Sequence, residues 1–149
     1  PLPAGPVELG AASIGQAQVL ASPLHMASVA AAAESGTWNA PRLIRDETVE
    51  PIAVPDAIPP EVRELMLEVV DGGTGTAAAV DGLTVGGKTG TAEFGTGDEL
   101  DTHAWFIGFA EGEGLPQKVA FAVVIEGGGT GGGDAAPVAR DFLERLRDP

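Results

Sequence analysis

The chain has 149 residues, 22 of them acidic and 8 basic, so its formal net charge is −14. Such an acidic chain is poorly suited to bind nucleic acid or an anionic membrane surface, because both are bound through Lys and Arg. The chain has no cysteine and two histidines, which excludes disulfides and thiolate sites and argues against a multi-histidine metal site. A hydrophobic content of 44% with 20% charged residues indicates one globular domain.

The N-terminal part of the chain predicts a loop followed by a helix. Residues 1–21 are rich in Pro, Gly and Ala, which favours irregular structure. The Ser-Pro pair at 22–23 is typical of an N-cap and a first helical position, so we expect a helix from there to about Glu34, before Gly36. The five prolines within residues 38–60 indicate extended or irregular chain.

A second helix and three strands are expected next. From Pro60, apolar residues recur at i, i+3, i+4, i+7 and i+8, which predicts an amphipathic helix that ends at residues 71–73. Residues 83–94, 102–110 and 118–126 have strand character, and their links are too short for parallel crossovers. The last two are apolar on both faces. We therefore expect an antiparallel sheet covered by helices on both faces, an α+β fold.

The C-terminal part begins with a run of glycines at residues 127–133, which we interpret as a flexible connection. Asp134 is expected to cap a last helix. Val138, Phe142 and Leu146 form the apolar stripe of that helix and are expected to pack it against the sheet.

The candidate binding site is the glycine- and threonine-rich stretch around Lys88. This lysine is the only cation between Arg63 and Lys118, an interval that holds ten acidic residues. An ammonium flanked by the hydroxyls of Thr89 and Thr91 can bind a carboxylate through charge and hydrogen bonds. The neighbouring Gly90 leaves room for the backbone of a ligand. An ordinary solvated strand lysine is the alternative.

The same stretch also satisfies the G-x-x-x-x-G-K-[ST] pattern of a phosphate-binding loop, from Gly82 to Thr89. That loop needs a buried strand before it and a helix directly after it. Residues 72–79 are instead rich in Gly, Thr and Ala, and residues 90–97 contain too much glycine for a helix. A nucleotide-binding protein stays as an alternative, which magnesium-dependent binding of ATP would support.

Residues 88–93 resemble the K-T-G-T-A-[EQ] signature of penicillin-binding proteins, in particular the class B peptidoglycan transpeptidases. Residues 13–16 and 22–27 resemble the S-I-G-Q-G and T-P-L-Q-M-A segments of that family. Residues 104–110 resemble its next strand, and residues 132–138 resemble the entry into its C-terminal helix. The segments follow the family's order over nearly the whole chain. Three positions outside the K-T-G signature depart from the pattern: Ala17, Ser22 and His25.

The resemblance implies a five-stranded antiparallel sheet between helices and an acyl-transfer reaction on peptidoglycan stem peptides, which β-lactams mimic. It implies that the hydroxyls of Thr89 and Thr91 bind the substrate carboxylate, that Lys88 supplies positive charge, and that the backbone N–H of Thr91 is one donor of the oxyanion hole. Gly90 belongs to the same substrate-binding strand. The resemblance implies no metal or cofactor, no nucleic-acid partner, and a location at the outer face of a bacterial cell membrane.

Two motifs of the family have no match in this chain. Val85 and Leu115 stand three positions before the two lysines, so the nucleophile motif S-x-x-K is absent. The sole asparagine, Asn39, follows Thr37 by two positions, so S-x-N is absent too. We therefore expect residues 1–149 to be the C-terminal portion of a transpeptidase domain, with the nucleophile and a membrane anchor in a preceding part.

A partial domain of this kind would leave a strand edge unpaired along residues 118–126. The missing N-terminal half, or another copy of the chain, would be expected to pair with it. A non-catalytic β-lactam sensor or structural domain stays open as a third interpretation. An S-x-x-K motif upstream of Pro1 would favour the enzyme.

Overall fold

The structure is a computed structural model that describes residues 5–42, 44, 48, 50–53, 60–96 and 99–148. A 3₁₀ turn at Thr76–Ala78 precedes the main sheet, and a π-helical turn at Gly131–Ala135 precedes the last helix. The helices are α1 (Pro6–Ser13), α2 (Pro23–Ser35), α3 (Pro60–Asp71) and α4 (Ala136–Arg147). The strands are β1 (Thr37–Trp38), β2 (Ile52–Ala53), β3 (Leu83–Thr96), β4 (Glu99–Gly112) and β5 (Val119–Ile125).

The main sheet has the order β3-β4-β5, and both pairs of neighbours are antiparallel. Lys88 lies opposite Ile107 and Thr91 lies opposite Ala104 in the β3–β4 ladder. The antiparallel sheet expected from the short links is therefore confirmed. Within the described residues β3 and β5 are the two edges, and β1 pairs separately with β2.

Helices cover both faces of this sheet, as predicted, which makes the fold α+β. On one face Phe106 packs in a core with Leu143 of α4, and both side chains are fully buried. On the other face Phe109 packs with Ala30 of α2 and Met66 of α3. A large ring on each face explains a pair of glycines, because a Cβ at Gly86 or Gly87 would collide with the ring of Phe109 or Phe106.

The predicted boundaries of α2 and α3 are confirmed. The hydroxyl of Ser22 accepts a hydrogen bond from the backbone N–H of His25 at 3.2 Å, and Gly36 ends α2 in the left-handed conformation with φ of 72°. Helix α3 begins at Pro60 and ends at Asp71, before two glycines. Within the proline-rich segment 38–60, residues 43, 45–47, 49 and 54–59 lie outside the described part of the chain.

The prediction of loop over residues 1–21 is wrong in part, because α1 occupies Pro6–Ser13. Proline is well tolerated at the first helical position, and Glu8 in the first turn suits the helix dipole. Helix α1 buries none of its residues, so it has no apolar stripe to reveal it in the sequence.

The expected packing face of α4 is wrong in part, because only Leu146 of its three stripe residues is half-buried. Its buried residues are Ala136, Ala139 and Leu143, while Val138 and Phe142 are 44% and 40% exposed. The helix faces the core with the two alanines and Leu143, so Val138 and Phe142 are left at its flank. Phe142 still contacts Phe121 there, with ring centroids 5.6 Å apart.

The described helices do not include one long and apolar enough to cross a lipid bilayer.

Candidate functional site

The predicted site residues lie together on β3, at an edge of the described sheet. Successive side chains of a strand point to opposite faces, so Thr89 and Thr91 share the face covered by α4. Lys88 and Gly90 belong to the opposite face. A Cβ at Gly90 would lie 3.2 Å from the Cβ of Trp105, so this glycine also permits close packing across the strands.

The free edge of β3 carries polar backbone groups of the two threonines. The Gln16 side-chain amide donates to the carbonyl oxygen of Thr91 at 3.2 Å, and the Lys88 ammonium donates to the carbonyl oxygen of Thr89 at 2.6 Å. In an antiparallel strand the N–H and C=O of one residue point to the same side. The backbone N–H of Thr91 therefore faces the free edge, away from β4.

Each threonine hydroxyl has a partner from a turn outside the strand. The Oγ1 atoms of Thr89 and Thr74 are 2.7 Å apart, and either can be the donor. The backbone N–H of Gly131 donates to Oγ1 of Thr91 over a long distance of 3.5 Å.

The sequence alone does not identify Gln16, Thr74 or Gly131 as site residues. Gln16 was visible only as part of the S-I-G-Q resemblance, and the other two only as members of glycine-rich segments.

The glycine run is not a flexible connection, which corrects the expectation from its composition. Gly131 begins a π-helical turn whose cap, Thr130, accepts from the backbone N–H of Gly133 at 3.1 Å. A Cβ at Gly131 would lie 2.6 Å from the carbonyl oxygen and 2.7 Å from the nitrogen of Gly90. Gly131 is therefore explained by close packing on β3, and Gly132 by close packing on the carbonyl oxygen of Thr74, rather than by freedom of the chain.

Asp134 does not cap α4 as expected. Its Oδ2 accepts a hydrogen bond from the backbone N–H of Thr130 at 2.7 Å, one turn earlier. Because Thr130 accepts in turn from Gly133, the two side chains close the start of the π-helical turn reciprocally. This closure fixes the turn that lies against the strand.

Among the described residues, Lys88 forms no ion pair, whereas a cluster of four charges elsewhere joins α2, α3, β4 and the residue just before β5. Lys118 contacts Glu34 at 2.7 Å and Glu111 at 2.9 Å, and Arg63 contacts Glu111 at 2.8 Å. The hydrogen bond from Lys118 is the main cause that lowers the pKa of Glu111, and burial opposes it. Hydrogen bonds to Glu34 and then Glu111 raise the pKa of Lys118.

A groove of about 920 Å³ lies on the face of the sheet that carries Lys88. Its walls come from α2 and α3, and its floor includes Ile107 of β4. Most of the lining is apolar, and Lys88 is the only cation among the lining residues that the structure describes. Glu68 and Asp71 of α3 are also in its lining.

The geometry of a phosphate-binding loop is absent from the segment Gly82 to Thr89. Strand β3 begins at Leu83 and continues through Thr96, so no helix follows the K-T pair. Gly86 and Gly87 are buried under phenylalanine rings, and their backbones are paired with β4. The pattern is therefore explained by strand packing.

Comparisons with known proteins agree with the motif resemblance. Residues 5–144 match the family model described as the penicillin-binding protein transpeptidase domain. The chain is 35% identical to Peptidoglycan D,D-transpeptidase PbpA of Mycobacterium tuberculosis over 91% of this chain and 31% of that protein. It is also 35% identical to Stage V sporulation protein D of Bacillus subtilis over 95% of this chain and 26% of that protein.

A solved structure gives the same result. The D,D-transpeptidase domain of a peptidoglycan glycosyltransferase from Eggerthella lenta superposes with a TM-score of 0.63 and 33% sequence identity, over 83% of this chain and 31% of that one. The chain spans about a third of the length of the first curated relatives that it matches. The K-T-G-T strand, the fold and these matches together show that the chain belongs to the transpeptidase-domain family of penicillin-binding proteins.

Proposed function

We propose that this chain forms the carboxylate-binding side of the active site of a peptidoglycan D,D-transpeptidase. The single observation that carries the proposal is the edge of β3, where Lys88 has no carboxylate partner among the described residues and the hydroxyls of Thr89 and Thr91 share one face. Names of relatives support the activity, since PbpA of two mycobacteria is called a peptidoglycan D,D-transpeptidase.

In the proposed complex, the substrate peptide lies along the free edge of β3. Its terminal carboxylate accepts hydrogen bonds from the hydroxyls of Thr89 and Thr91, and the charge of Lys88 strengthens this binding. Gly90 keeps the strand free of a bulky side chain next to the substrate. The outward backbone N–H of Thr91 donates to the oxygen that becomes negative in the transition state.

The proposed reaction has two acyl transfers. The hydroxyl oxygen of a serine supplied by the preceding part of the protein attacks the carbonyl carbon of the penultimate D-Ala, and its proton passes to a neighbouring base. The peptide C–N bond breaks and the terminal D-Ala leaves with a proton. An amine of a second stem peptide then attacks the ester, forms the cross-link and releases the serine.

The partners and location follow from the same proposal. Stem peptides are the substrates, and β-lactams are the inhibitors that acylate the serine. The chain acts at the outer face of the cell membrane, where peptidoglycan is cross-linked. The unpaired side of β5 adjoins the part of the domain that brings the S-x-x-K motif, and a second copy of the chain is the competing occupant of that edge.

The test is acylation by a fluorescent penicillin, followed by a denaturing gel and intact-mass measurement. The full-length protein is expected to take one penicillin per chain, on a serine outside residues 5–148. The 149-residue chain is expected to take none, because no serine in it precedes a lysine by three positions. Failure of the full-length protein to react would overturn the proposal, as would a stable adduct on the 149-residue chain.

A non-catalytic sensor would also be acylated by penicillin, so a second measurement is needed. A pentapeptide ending in D-Ala-D-Ala and an acceptor amine should give cross-linked product and free D-Ala in equal amounts. Acylation by penicillin with no release of D-Ala would instead support the sensor.

A further inference from the structure

Thr74 lies outside the K-T-G-T strand but reaches one of its hydroxyls. Its Oγ1 is 2.7 Å from Oγ1 of Thr89, although the two residues are separated by the 3₁₀ turn and the start of β3. Thr74 is exposed, so core packing does not account for its side chain. The hydroxyl pair is the feature that needs explanation.

The backbone of Thr74 is fixed by two flanking glycines. The backbone N–H of Gly75 donates to the carbonyl oxygen of Val69 at 2.8 Å. A Cβ at Gly73 would lie 2.8 Å from the Cα of Val69, and one at Gly75 would lie 2.9 Å from its Cγ1. Only glycine permits this approach on either side, so Thr74 is held against the last turn of α3.

The π-helical turn supports Thr74 from the opposite side. A Cβ at Gly132 would collide with the carbonyl oxygen of Thr74, and it would lie 3.9 Å from Cγ2 of Thr89. Gly132 therefore packs against both members of the hydroxyl pair. Three separate segments meet here: the end of α3, the π-helical turn and β3.

The direction of the hydrogen bond decides what Thr89 can do. A hydroxyl donates one hydrogen bond and accepts two. When Thr74 donates to Thr89, the proton of Thr89 is left for an anion at the edge of the strand. An anion that accepts this proton polarises the pair and strengthens the bond from Thr74, because linked hydrogen bonds reinforce one another.

We propose that Thr74 is a positioning residue for recognition of the substrate carboxylate. This inference rests on the proposed function, since it assigns Thr74 a part in the same site. Thr74 sets the position of Oγ1 of Thr89 and directs its proton toward the carboxylate, while Thr74 itself does not touch the reacting atoms.

The test compares Thr74→Val and Thr74→Ser with the unchanged full-length protein. Acylation is followed with benzylpenicillin and with its methyl ester, which lacks the carboxylate. With benzylpenicillin, Thr74→Val is expected to lower the second-order rate about fivefold, the effect of one lost hydrogen bond. Thr74→Ser is expected to stay within about twofold, because the hydroxyl is kept. With the methyl ester, Thr74→Val and the unchanged protein should react equally.

The exposed Thr76, two residues further on, provides a matched control. Its hydroxyl makes no hydrogen bond to β3 in the described structure, so Thr76→Val is expected to leave both rates unchanged. Thermal unfolding of each variant separates a site effect from loss of folded protein.

Three results would overturn the inference. Equal rates of Thr74→Val and the unchanged protein with benzylpenicillin would remove any role of the hydroxyl. An equal loss with the ester would show a general structural effect. Failure of Thr74→Ser to restore the rate would show that the hydroxyl is not the group that matters. In each case the unchanged protein still reacts, so the proposed function stands; if it does not react, both fall.

Discussion

One end of the β3–β4 ladder and its middle differ in how their charges are paired. At the end near Glu111, which lies opposite Thr84, two cations and two carboxylates contact one another within 2.9 Å. About 14 Å along the strand from Thr84, Lys88 of the K-T-G-T segment hydrogen-bonds only to a backbone carbonyl among the described residues. The charges near Glu111 are therefore paired within the chain, whereas Lys88 has no charged partner among the described residues.

This difference suggests two roles: the charged cluster around Glu111 stabilises the fold, and the K-T-G-T segment is suited to bind an anion. The charges of the four-residue cluster connect α2 and α3 to β4 and to Lys118 just before β5, so their partners are already present in the folded chain. The hydroxyls of Thr89 and Thr91 are held by Thr74 and Gly131, which are neutral groups. Neutral partners orient a donor without cancelling the field of Lys88, and a preorganised field of this kind favours an incoming anion.

Lys88→Ala should therefore have the largest effect on acylation and little effect on stability. In the full-length protein we expect the second-order rate with benzylpenicillin to fall at least about tenfold, the loss of roughly 1.4 kcal/mol of transition-state stabilisation. Stopped-flow or gel-based acylation gives the rate, and thermal unfolding checks the fold.

Lys118→Ala is the matched control, since it removes the other lysine of the chain from the ionic end of the same sheet. It should leave the acylation rate within about twofold of the unchanged protein, because its charge is neutralised by two carboxylates. Equal losses of acylation rate in the two variants would show that the net charge of the chain matters rather than the position of Lys88. The contrast between the two regions of the sheet would then be wrong.

Glu111→Gln should lower the stability of the fold and leave acylation unchanged, which is the reverse of the effect expected for Lys88→Ala. It weakens the contacts of Glu111 with Arg63 and Lys118, so the free energy of unfolding is expected to fall by about 1 kcal/mol. Chemical denaturation measures that change, and the acylation rate should not move. Asp141→Asn, at a more exposed pair with Arg140, is the control and should change stability by less than about 0.5 kcal/mol.

Much of this contrast could be foreseen from the sequence. Strands that are apolar on both faces, joined by short links, predicted the covered antiparallel sheet, and the Ser-Pro pair and Gly36 predicted the ends of α2. The isolation of Lys88 among acidic residues, with the K-T-G-T letters, identified the strand of the candidate site. These signals are local in the chain, which is why composition and spacing sufficed.

The rest depends on contacts between distant segments. Gln16 and Gly131 meet Thr91 across 75 and 40 positions, and no periodicity in the sequence indicates such contacts. The glycine run has the composition of a linker, yet its Gly131 packs against the backbone of β3 at Gly90. The buried face of α4 combines two alanines with Leu143, and the alanines carry a weak apolar signal beside the more conspicuous Phe142.

The smallest expected effect is a dependence on pH that comes from the ionic end alone. The pKa of Glu111 is lowered in the folded chain, chiefly by its hydrogen bond with Lys118. A carboxyl with a lowered folded pKa stabilises the fold above its unfolded pKa and loses that contribution as the pH falls through the folded pKa.

The difference in unfolding free energy between the unchanged protein and Glu111→Gln should therefore be full at neutral pH. It should shrink at acidic pH, as the pH falls through the lowered folded pKa of Glu111 and the carboxyl becomes protonated. Denaturation curves at the two pH values provide the measurement, and comparison of the two proteins cancels the titration of the other carboxyls. A difference that is the same at both pH values would show that Glu111 acts through packing or neutral hydrogen bonds. The cluster around Glu111 would then be held by neutral contacts, as the hydroxyls of Thr89 and Thr91 are.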